Sequence, residues 1–191
     1  MISSGEFTET FVTSARVGGR STYELGVLNP QNHLLPDRQA QFAWVSGQVV
    51  NFSLEYDGSV VKYSVGNQLL STTTFSGRAT DLFIRTRAAN QSSIRLGNLM
   101  LTDATGALSI ANTGSAGSDD SDIDYVRLQG LTGPFTITGS SVMSWTGTAP
   151  TQSALIYQFK VGTSTAVPEP ASLAAIALIG AAGLNLRRRS L

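Results

Sequence analysis

The chain has 191 residues, 13 basic and 13 acidic side chains, one histidine and no cysteine. Three of the bases are Arg187, Arg188 and Arg189 at the C-terminal end, so the remainder is mildly acidic, which argues against nucleic acid as a partner because that needs a basic face. Without a thiol there is no disulfide, thiolate metal site or cysteine nucleophile, and the fold must be held by its core alone.

Charged residues make up only 14% of the chain while Ser, Thr and Gly abound, the balance of an extracellular β-protein. The N-terminus, Met1 to Glu6, shows neither a basic n-region nor an apolar h-region. We expect a leader upstream of the first residue. Phe7 to Val12 alternates loosely enough for a first strand that ends at Gly18-Gly19, and Tyr23, Leu25 and Val27 suggest a second. Turn residues from Asn29-Pro30 to Pro36-Asp37 predict a loop, and Gln39 to Trp44 leads towards a turn near Ser46-Gly47. The clearest signal follows. Val50, Phe52, Leu54 and Tyr56 alternate with Asn51, Ser53 and Glu55, Asp57-Gly58 makes a tight turn, and Val60 to Val65 returns. Leu69-Leu70, Leu82 to Thr86 and Ile94 to Leu101 continue the series. Thr102 to Ser121 reads as a loop with one short apolar island at Leu108-Ser109-Ile110, and strands are expected over Ile123–Leu128, Phe135–Trp145 and Leu155–Val161. Short strands punctuated by Gly and Asn, with no amphipathic helix among them, predict an all-β antiparallel sandwich over 5–162, then a linker over 163–167.

The tail differs in kind. Pro168-Glu169-Pro170 resists strand formation, and Ala171 to Leu186 is an uncharged run rich in Ala, Leu and Ile, followed by the three arginines. Helical, that run would be roughly 24 Å long against a hydrocarbon core of about 30 Å, and the flanks and snorkelling arginines make up the difference. The expectation is a single C-terminal transmembrane helix with Arg187, Arg188 and Arg189 on the cytoplasmic side and the body outside. A buried helix and a plain tail anchor are the competing readings.

This order of motif, apolar run and arginine cluster over 168–191 resembles the PEP-CTERM sorting signal of bacterial envelope proteins. The resemblance implies an exosortase, a membrane-embedded cysteine transpeptidase, as partner, with Pro168, Glu169 and Pro170 as sorting residues rather than catalytic ones. The hairpin from Val50 to Gly66 resembles that of laminin-G and concanavalin-like jelly rolls. Together with Arg16 to Gly19, Tyr23 to Gly26 and Phe42 to Trp44, it also resembles the choice-of-anchor surface modules, the type called W most closely. That implies an extracellular jelly-roll-like body with no assigned catalysis, structural or adhesive in role, in the envelope or a biofilm matrix.

Four groups of residues could carry chemistry. Glu55 and Asp57 share a strand face at a spacing that invites comparison with glycosidase carboxyl pairs, but Asp57-Gly58 reads better as the turn itself. His33 stands alone without a nucleophile elbow to receive it. Asp119, Asp120, Asp122 and Asp124 could offer oxygens to calcium, although Tyr125 and Leu131 stand where an EF-hand needs Gly and Glu. Trp44, Trp145 and the tyrosines could form a sugar-stacking platform or fill the core. The expectation is a non-enzymatic protein without cofactor. Extracellular polysaccharide is a candidate ligand, a lectin-like module is the first alternative, and a divergent glycan hydrolase is the second.

Overall fold

A computed structural model describes residues 7–19, 23–118 and 120–164, with the backbone alone for 32–35. The described residues form strands β1 (Phe7–Val17), β2 (Leu25–Asn29), β3 (Asn32–Ala40), β4 (Val49–Tyr56), β5 (Val61–Val65), β6 (Gln68–Thr72) and β7 (Asp81–Ala88). They continue with β8 (Ser92–Asp103), β9 (Gly106–Ile110), β10 (Thr113–Gly117), β11 (Asp122–Gln129), β12 (Phe135–Trp145) and β13 (Leu155–Ser164). All pairings are antiparallel. A front sheet runs β11-β7-β13-β1-β2-β3, and a back sheet runs β10-β8-β12-β4-β5-β6, with β9 also paired to β8. The winding is nested: β1 pairs with β13, β4 with β12, β7 with β11 and β8 with β10, and successive pairs alternate between the two sheets.

Period-two patterning explains the layers. On β4, Val50, Phe52, Leu54 and Tyr56 are buried while Asn51 and Glu55 face solvent. Phe11, Ala15 and Val17 of β1 face the same core, where Phe52 lies 5.4 Å from Tyr157 and 5.3 Å from Phe159 between ring centroids. The other face of β1 is covered as well. Val12 packs there with Tyr23 and Leu28 as a small second cluster. Between Thr138 and Ser140 the β12–β8 register shifts, opposite Asn98 with its φ of 53°. Gly139 sits in that shift because a Cβ there would come within 2.7 Å of the Phe52 ring and 2.8 Å of Leu99.

Two expectations are corrected. The loop predicted from Asn29 to Asp37 is a turn at Pro30-Gln31 followed by β3, so His33 lies on a strand. Pro36 is tolerated because β3 is an edge strand, paired only with β2 through an irregular register. After β3 ends at Ala40, residues 41–48 cross between the sheets without regular structure and include the turn expected near Ser46-Gly47. The loop predicted over Thr102 to Ser121 contains β9, which includes the apolar Leu108 and Ile110, and β10, made of small residues; both extend the β8 ladder. At the other end, β13 continues through Ser164, into the stretch read as a linker.

Candidate functional site

The carboxylates nearest to an acid/base pair line a cleft at one end of the back sheet, with Glu55, Asp57, Asp103, Thr102, Phe135 and Thr136 in its wall. Each aspartate is tied into its own turn. Asp57 accepts from the amides of Val60 at 2.7 Å and Ser59 at 2.9 Å and from the Ser59 hydroxyl, and these bonds hold its pKa below the usual carboxylate range. Asp103 accepts from the Thr105 hydroxyl at 2.6 Å and the Thr105 amide at 2.8 Å, with the same effect. Glu55 faces Lys62 at 3.8 Å, both well exposed. The turn bonds favour the anion at both aspartates, and each aspartate caps its own hairpin turn.

The acidic run after β10 is also engaged in structure. Asp119 lies outside the described residues. Asp122 accepts from the Ala116 amide at 2.9 Å. One Asp124 oxygen takes the Thr113 hydroxyl and the other the Tyr125 amide. Asp120 is exposed. Among the described residues no three His, Asp or Glu side chains converge as metal ligands. The two aspartates instead close the β10 edge against β11.

Most aromatics serve the core. Tyr23, Tyr56, Tyr63 and Tyr157 are buried, and burial pushes the Tyr63 and Tyr157 phenols well above their ordinary pKa. Trp44 and Trp145 are half-buried against the core, with Trp44 packed at 4.6 Å on Phe42. Tyr125 differs, being 52% exposed on the outer face of the front sheet. Arg85 donates to its hydroxyl at 3.0 Å and to Gln158 at 3.1 Å. Arg87 lies on the same face of the same strand. This patch of aromatic, guanidinium and amide was not legible beforehand, because it is assembled by the β11–β7–β13 register from residues far apart in sequence.

The last described residues place the root of the tail. β13 lies between β1 and β7, and its final residue, Ser164, accepts from Arg127 at 2.8 Å through its hydroxyl. Arg127 also binds Asp81 at 2.8 Å, so the strand is pinned where it leaves the sheet. Two positions further on, residues 166–189 match a known family. It is the PEP-CTERM protein-sorting motif. The motif covers Pro168, Glu169, Pro170 and the arginines, and it implies processing by an exosortase and export to the cell envelope or surface. Those residues, with the expected helix over 171–186, lie outside the described part of the structure. Among the described residues no helix is long and apolar enough to cross a membrane. No curated protein matches the chain.

Proposed function

We propose that the protein is an exported bacterial surface or matrix component whose PEP-CTERM motif delivers a structural or adhesive β-sandwich, without catalytic activity, to the outside of the cell. The match over 166–189 carries this reading. In it, Pro168, Glu169 and Pro170 are read by the exosortase while the run from Ala171 to Leu186 crosses the membrane and Arg187, Arg188 and Arg189 stay in the cytoplasm. The nested strand pairs support a jelly roll, and with it a body of the choice-of-anchor kind. The engagement of Asp57 and Asp103 in their own turns supports a scaffold reading of this end of the sandwich.

The test is a reporter-tagged full-length chain in a bacterium that makes an exosortase. The parent should appear outside the cell in a shortened form. Replacing Pro168, Glu169 and Pro170 by alanine should leave it unshortened and membrane-bound. Equal processing of both would end the proposal.

One observation favours a second reading, a carbohydrate-binding module. Tyr125, Arg85 and Arg87 together offer a ring face and cationic donors, which suit an acidic sugar unit. A glycan array should then show acidic glycans retained by the full chain and lost with Tyr125→Ala. Binding that survives this change places the ligand elsewhere.

A further inference from the structure

Nearly every lateral edge among the described strands is guarded. On β6 the Ser71 carbonyl accepts from Arg38 Nε at 3.1 Å. On β10 the Ala116 amide is taken by Asp122 at 2.9 Å. β11 carries Asp122, Asp124 and Arg127, and β3 carries Pro36, Asp37 and Arg38. Charge, proline and side-chain caps are the usual means of stopping edge-to-edge pairing. β9 has none of them. It reads Gly106-Ala107-Leu108-Ser109-Ile110, it is exposed over its first four residues, and among the described strands it pairs with β8 alone.

The face of β9 points the same way. Leu108 is opposite Leu101, which is buried at 6% exposure, yet Leu108 itself is 54% exposed. The apolar side of the back sheet therefore continues past its cover. Register then decides which backbone groups are free. Asp103 and Gly106 close a two-residue turn and so form a hydrogen-bonded pair. Alternation from there turns the amides of Gly106, Leu108 and Ile110 towards β8 and those of Ala107 and Ser109 outwards.

We propose that β9 pairs antiparallel with β9 of a second copy about a twofold axis at Leu108, joining two back sheets into one continuous sheet. In that register Ala107 and Ser109 of one copy exchange both main-chain bonds with Ser109 and Ala107 of the other. Leu108 meets its own counterpart as the close, non-hydrogen-bonded pair. The strand is self-complementary: no charge opposes itself, and the two exposed leucines cover each other. An isologous contact of this kind closes at the dimer, so it makes pairs rather than fibres. Before the apolar tail is cut, its hold on the membrane would raise the effective concentration enough for a short interface to form.

The chain has no cysteine, so an introduced one reports its own surroundings. The full chain in mild detergent, as Leu108→Cys, should form a disulfide-linked dimer at least about tenfold faster than Thr73→Cys, placed just after β6 at the opposite edge of the back sheet. Both sites are exposed, so both variants should fold. Association through the tail alone would not favour position 108, and equal rates would therefore overturn the proposal. So would a monomeric mass of the unsubstituted chain at every concentration in sedimentation.

Discussion

At the residue scale the most consequential polar contact is Asp81, whose side chain is 5% exposed and bonded to Arg127 at 2.8 Å and to the Thr80 hydroxyl at 2.6 Å. Burial works against the anion, but the bonds from Thr80, Arg127 and Ser164 outweigh it and hold the carboxyl below its usual pKa. A lowered pKa stabilises the fold fully above the unfolded carboxyl value of about 3.9 and loses that contribution as pH falls through the folded value. Asp81→Asn should therefore lower the unfolding free energy by about 1–2 kcal/mol at neutral pH, discounted for the partial exposure of Arg127. In urea titrations the difference from the parent should shrink as pH drops below about 3.9. A gap that stays constant down to pH 2 would mean that the charge contributes nothing.

At the element scale, β10 and β11 show what an acidic cluster does when its oxygens are engaged. With Asp122 bonded to the Ala116 amide and Asp124 to Thr113 and Tyr125, thermal melts in millimolar calcium and in chelator should superimpose. A rise of several degrees with calcium would show that these carboxylates can be released to a cation. The same region shows where pattern reading stops. β4 was legible because Val50, Phe52, Leu54 and Tyr56 bury one face and leave the other wet. β9 and β10 were not, because Leu108 and Ile110 are too short a run to mark a strand, Thr113 to Gly117 has no large apolar residue, and both take their extended form from pairing with β8. β3 was hidden by Pro30 and Pro36, which read as loop residues but sit at a turn and on an edge. The sorting motif was visible because its signal is local and ordered along the chain. The Tyr125 patch was not, since it exists only once register has brought three strands together.

At the scale of the whole molecule, the protein is a sandwich with its address at one end, and the two meet at Ser164. β13 is held on both sides, by ten residue pairs with β1 and seven with β7. β1 runs antiparallel to it, so Phe7 sits opposite Ser164 and both ends of the described chain emerge from the same side of the front sheet. A tug on the tail, from flowing water or from a neighbouring cell, would be directed along the axis of a central strand. It would have to slide two ladders at once instead of peeling one bond at a time. The strand that leads into the sorting motif is thus also the part of the molecule best arranged to bear mechanical load.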